Sequence, residues 1–215
     1  MRSILAQGKD IVCICFSSAL STTYQSAVIA AQDVGPDYPD GHIYVVDSLS
    51  ASRGQGLLIY LAVQKKREGL SAPELAQWVE DNKLSLCHWF TVDDLVYLKR
   101  GGRVSAAAAF VGGLLNIKPV LHVDNEGHLI NMFKVRGRRS AIRALAQKFG
   151  ELAVDPKNAT LFISHGDCPG DAELLARFVK EDYGLDVQII TYVGPVIGSH
   201  SGPGTLAFFF VGKER

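Results

Sequence analysis

Ile11-Val12-Cys13-Ile14-Cys15-Phe16 is an unbroken apolar run bounded by Asp10 and Ser17. It is too short for a helix of ordinary length and reads as a strand buried on both faces. Comparable runs return at 42–47, 159–164, 186–193 and 205–211. A strand with two apolar faces needs cover on both, and the segments between the runs supply it. Leu20, Tyr24, Ala27 and Ala31 share one face of a helical period that should end near Gly35-Pro36. Helices are expected over about 54–69, over 72–82 with Ser71 as cap, over 138–152, and over 169–183 with Pro169 at a first position. Strand, helix, strand, helix is the α/β signature, with right-handed crossovers.

A second kind of organisation begins near Thr91. Residues 84–91 read as a strand leaving the first unit, and 93–98 as a short helix. Residues 117–123 and 129–135 read as strands joined by the hairpin-type turn Asp124-Asn125-Glu126-Gly127. The expectation is therefore a parallel N-terminal α/β domain over 1–91 and a mixed-sheet C-terminal α/β domain over 92–215. No flexible linker separates them, so the two should pack tightly. Arg138, Arg139, Arg143 and Lys148 are expected on a solvated helix face, and Gly194 to Gly204 as a glycine-rich stretch in which 198–204 is a loop.

Several function classes are disfavoured. Among 215 residues, 22 basic side chains balance 22 acidic ones, which gives no electrostatic case for nucleic acid or an anionic membrane. No apolar run reaches the roughly 18–20 residues of a membrane span. Met1-Arg2-Ser3 leads to Lys9-Asp10 before a signal-peptide core could develop, and the four cysteines form no C-x-x-C. Reduced thiols in a cytoplasmic protein follow as the expectation. P-loop, G-x-G-x-x-G and G-x-S-x-G patterns are absent, and the six histidines do not cluster with metal-ligand spacing. No cofactor and no metal are expected.

Chemistry concentrates in three places. The turn Arg100-Gly101-Gly102-Arg103 sets permanent cations around a backbone free to turn tightly, just ahead of the uncharged run 106–115. An amphiphile with an anionic head suits that pairing, and so does a basic turn before a buried helix. Five of the seven residues in 17–23 carry hydroxyls, among them Ser18, Ser21 and Thr22, at a strand-to-helix junction. Helix starts favour anions, and hydroxyls there can also serve simply as caps. His200 lies between Gly198 and Gly204; His88 is expected to be structural. A serine hydrolase or transferase using Ser21 and His200 on a small anionic substrate is the alternative, without an acid partner in sight.

Four segments resemble the DegV family. Ser17 to Ala27 is similar to its S-S-x-L-S-G-T-Y-x-S-A segment, and Asp93 to Ser105 to its D-x-L-x-x-L-x-R-G-G-R-[IVL]-S block. Leu114 to Leu121 is similar to L-L-x-[IV]-K-P-[IV]-L, and Gly198 to Gly204 to the closing G-x-H-x-G-x-G. The resemblance implies a two-domain bacterial fatty-acid-binding protein that is not an enzyme. The lipid would lie between the domains with its carboxylate at the mouth. A partner fatty acid kinase would phosphorylate that carboxylate in some members, for phospholipid synthesis. It also implies that Ser21 bonds the carboxylate, with Ser18, Thr22, Arg103 and His200 near the head group. Phe110, Leu114 and Leu115 would line the acyl route. Thr22 stands where the family has glycine. Family members carry a further N-terminal segment with D-S-x-x-D and T-S-Q-P elements, so a shortened first domain is expected here.

Overall fold

A computed structural model describes residues 1–105 and 116–215. After the one-turn helix α1 (Arg2–Leu5), strand β1 (Ile11–Cys15) runs into the hydroxyl-rich segment and helix α2 (Thr23–Val34). A 3-10 turn containing Pro36 stops α2 where the sequence predicts. Strand β2 (Ile43–Asp47) then pairs with β1 in parallel, Ile11 opposite Ile43 through Cys15 opposite Asp47. Helices α3 (Ser52–Arg67) and α4 (Ala72–Asn82) complete this unit. Ser71 and Glu74 form a capping box at the start of α4, as its predicted cap requires.

Strand β3 (Leu86–Thr91) is followed by helix α5 (Val96–Arg100). Next come β4 (Ile117–Val123), β5 (Leu129–Arg136), α6 (Arg138–Leu152) and β6 (Phe162–His165). The order closes with α7 (Pro169–Tyr183), β7 (Ile189–Tyr192), α8 (Pro195–Ser201) and β8 (Leu206–Val211). The second sheet runs β5-β4-β3-β8-β6-β7; β6 and β7 are parallel and the other pairs antiparallel. The chain is thus an α/β protein with a small parallel sheet and a larger mixed one.

Alternation along the central strands sorts the core into two layers. Leu206, Phe208 and Phe210 pack with Phe149, Ile142 and Leu175 under α6 and α7. Ala207 and Phe209 turn to the opposite face, with Phe90, Leu57, Leu58 and Val46. That second cluster takes members from both units, so the first unit is seated directly on the large sheet.

Three expectations need correction. Residues 86–91 do not belong with the first sheet: β3 bonds β4 on one side and β8 on the other, all within the six-stranded sheet. In chain order the change from the small sheet to the large one comes ahead of Leu86. The stretch 198–204 is not all loop. Pro195 sets the helical φ at the start of α8, and Gly202, at φ 80°, ends it. Arg138 is not solvated. Its Nε donates to Asp171 Oδ2 at 2.8 Å and its Nη2 to Gly204 O at 2.6 Å, with the side chain only 19% exposed.

Candidate functional site

A cavity of about 400 Å³ opens between the two units. The large sheet supplies its floor through His88, Phe90, Ala207 and Phe209, which share one face by strand alternation. Phe16, Leu20 and Ser21 wall it from the segment after β1, and Ala51 and Ser52 from the start of α3. Leu98, Arg103 and, from α8, Pro195, Val196, Ile197 and His200 close the remaining side. The surface is apolar except for a few hydroxyls, Arg103 and the two imidazoles.

Ser21, Arg103 and His200, widely separated in sequence, all line this one cavity. Ser21 Oγ lies 2.8 Å from Thr23 Oγ1 and accepts from Thr23 N at 3.2 Å. The pair presents two hydroxyls at the first turn of α2, whose unpaired backbone N–H groups favour an anion. Thr23 also lines the cavity and was not singled out from the sequence. Ser18 and Thr22 are not among its lining residues. Ser18 N donates to Asp47 Oδ1 at 3.2 Å, tying the segment to the end of β2. Thr22 is exposed at the N-cap of α2 and makes no side-chain cap bond. Phe110, Leu114 and Leu115 lie outside the described residues.

Arg103 has a bracing role as well as a place in the wall. Its Nε and Nη2 donate to Leu20 O at 3.1 and 2.9 Å, and its Nη1 to Gly101 O. The guanidinium therefore fixes the residue just before Ser21 against the glycine turn after α5. His200, on α8, leans on that same turn. A Cβ at Gly101 would stand 2.2 Å from His200 Nδ1, so only glycine leaves room for the ring. The motif around Gly101 and the motif around His200 thus fit together as one contact. The hydrogen bonds of the Ser21 hydroxyl are made within its own segment, to Thr23.

His88 is the functional-site residue whose role the sequence concealed. Its Nδ1–H donates to Leu86 O at 2.7 Å, which leaves Nε2 to accept from Ala51 N at 3.4 Å. Burial, followed by the charge on Arg215, pushes its pKa down to about 3, so the ring is neutral at physiological pH. A Cβ at Gly54 would meet Nε2 at 1.9 Å, which explains the glycine near the start of α3. His88 belongs to the sheet, as expected, and also forms part of the cavity floor. Its strand position gave the first fact; only the pairing with β8 gives the second. Among the described residues no group of histidine, cysteine and carboxylate side chains could hold a metal ion.

Comparison with known proteins agrees with this architecture. A family model described as "Uncharacterised protein, DegV family" matches residues 1–213. A DegV domain-containing protein of Clostridium perfringens is 50% identical over 209 residues, covering 97% of this chain and 72% of that one. The crystal structure of a DegV lipid binding protein from Thermotoga maritima has 34% identity and a TM-score of 0.80, over 96% of this chain and 70% of its own. A Thermus thermophilus structure reported for fatty acid binding of a DegV family protein has 32% identity and a TM-score of 0.86, over 98% and 74%.

Proposed function

The chain belongs to the DegV family, and from that premise we propose that it binds a long-chain fatty acid without chemically changing it. The acyl chain occupies the cavity between the two sheets, and the carboxylate lies beside Ser21, Thr23 and His200. The observation that carries this reading is the convergence of Ser21, Arg103 and His200, from three distant motifs, on one apolar cavity. Its volume of about 400 Å³ falls within the roughly 300–1,000 Å³ of small-ligand sites. The names of the Thermotoga and Thermus relatives, a lipid-binding and a fatty-acid-binding protein, support the same ligand class.

Physical chemistry fits a carrier. Each buried methylene contributes about 0.8 kcal/mol, so a chain of about fifteen offers roughly 12 kcal/mol before ordering costs. The polar end need only leave no buried charge unpaired. Ser21 and Thr23 spend one hydroxyl proton on their mutual bond, which leaves one O–H of the pair to donate to a carboxylate oxygen. Arg103, with three of its five N–H groups engaged on backbone carbonyls, keeps two for the ligand. A carboxylate held at the edge of the cavity is also placed for phosphorylation by a partner fatty acid kinase, which we include in the proposal. We assign the protein to the cytoplasm. Its four free thiols fit a reducing compartment, and no helix among the described residues is long and apolar enough to cross a membrane.

Native mass spectrometry of the protein purified from bacterial cells tests the reading. A bound mass equal to a long-chain fatty acid is the expected result. Protein that stays empty after incubation with palmitate or oleate overturns it. The kinase step is tested separately, by acyl phosphate formation from the loaded protein, ATP and a bacterial fatty acid kinase.

A further inference from the structure

We propose that Arg215 is the positioning residue of this cavity: its guanidinium ties the loop that walls the ligand space to the large sheet and holds the two units closed. The inference rests on the fatty-acid reading given above. Nη1 donates to Leu49 O at 2.7 Å and Asp124 O at 3.0 Å. Nη2 donates to Lys83 O at 2.7 Å and Ser50 Oγ at 3.1 Å, and Nε to Leu86 O at 3.2 Å. All five N–H groups of the guanidinium are engaged. Four separate parts of the fold supply the acceptors: the loop after β2, the turn before β3, β3 itself, and the β4–β5 hairpin. Nη1 alone spans the seam, from Leu49 in the first unit to Asp124 in the second.

The loop it holds is poorly suited to hold itself. Leu49 and Ser52 have φ of 49° and 53°, a region that side chains other than glycine rarely adopt. Ala51 and Ser52, at its end, are cavity wall. The same loop also anchors the rest of the site. Ser17 N donates to Ser50 O at 3.0 Å, and Ala51 N to His88 Nε2 at 3.4 Å. Ser17 Oγ in turn donates to Gly127 O at 3.0 Å, beside the hairpin that Arg215 grips. Every acceptor of Arg215 is neutral, and no carboxylate pairs with it among the described residues. The arrangement is that of a buried cross-brace, not a surface ion pair. Burial lowers its pKa to about 10, which leaves it charged at neutral pH.

The test is the release rate of cis-parinaric acid, followed by fluorescence, from the wild type, Arg215→Ala and Arg215→Lys. Release from Arg215→Ala should be about tenfold faster or more, given five lost charge-assisted hydrogen bonds. Added methylguanidinium should slow it again, a recovery that a general loss of stability would not show. Arg215→Lys should fall between the two, because three donors replace five. Release at the wild-type rate from folded Arg215→Ala, or fast release that methylguanidinium leaves untouched, overturns the proposal. Should Arg215→Ala fail to fold, a wild-type release rate in Arg215→Lys overturns it instead, and faster release supports it. Should the wild type hold no cis-parinaric acid, the functional reading fails, and amide exchange at Ser17 and Ala51 decides the role of Arg215. Faster exchange in the variant sustains the brace, and unchanged exchange removes it.

Discussion

Replacing Gly101 by alanine should disable the site through a residue that touches no ligand. The new Cβ would stand 2.2 Å from His200 Nδ1, where carbon and nitrogen normally keep about 3.5 Å. The ring must therefore move by more than about 1 Å. Gly101 itself has φ of −73°, which alanine adopts freely, so the backbone has no reason to yield. Overpacking of this kind costs about 1–3 kcal/mol, whereas glycine-to-alanine at a compatible φ gains about 0.4–1 kcal/mol from the unfolded chain. Net destabilisation of about 0.5–2 kcal/mol is expected in the wild-type background. In a His200→Ala background the obstruction is gone, and the same substitution should stabilise by about 0.4–1 kcal/mol. Fatty-acid affinity should follow the same logic: Gly101→Ala weakens binding about as much as His200→Ala, and the double variant loses little more. Urea unfolding and isothermal titration with oleate, over the four members of the cycle, measure both quantities. Additive effects on affinity, or a stability change of the same sign in both backgrounds, would refute the contact between the two motifs.

Removal of the Ser21 hydroxyl by Ser21→Ala should weaken fatty-acid binding by about 1–3 kcal/mol, and Thr23→Val should act in the same direction; displacement of a fluorescent fatty acid measures both, and unchanged affinity in the two removes them from the head-group site. His88 has a folded pKa of about 3 against an unfolded value near 6.5, so its contribution to stability is complete above about pH 6.5 and is lost as pH falls toward 3. The slope from this one group is at most about 1.4 kcal/mol per pH unit, and His88→Leu should remove that part of the acid sensitivity in denaturant unfolding between pH 4.5 and 7.5; an identical pH profile in the variant contradicts the assignment. Phe149 is fully buried against Tyr183, Phe208 and Phe210, so Phe149→Ala should cost about 3–5 kcal/mol by urea unfolding, and a loss below 1 kcal/mol would mean that this layer closes over the cavity it leaves.

Local signals carried the helices well and the sheet partners poorly. The segments 72–82 and 169–183 fold as predicted because an apolar stripe comes with a marked start or stop, Ser71 with Glu74 in the first and Pro169 with Gly184 at φ 73° in the second, while 138–152 does so on its apolar stripe alone. α8 was hidden because Gly198 lies inside it and glycines flank it, so its helicity depends on packing against α5 rather than on propensity. β3 carries no mark of its partners, since β8, which flanks it, is far away in sequence. The motifs brought Ser21, Arg103 and His200 forward, and the cavity contains all three. Thr23 differs from Thr22 only by the geometry of the first helical turn, which hydroxyl counting does not resolve. Arg215 has no motif around it, and its five acceptors, four of them backbone carbonyls, are invisible to side-chain patterns.

Among the described residues β8 is the final strand in chain order, yet it is inserted between β3 and β6 in the middle of the six-stranded sheet. Until it arrives, β3 and β6 wait with open edges, and Ala207 and Phe209 are missing from the floor of the ligand space. Non-local closure of this kind is slow, and the waiting edges are prone to mispairing. Uptake of the proposed ligand therefore has to wait until β8 has been inserted between β3 and β6.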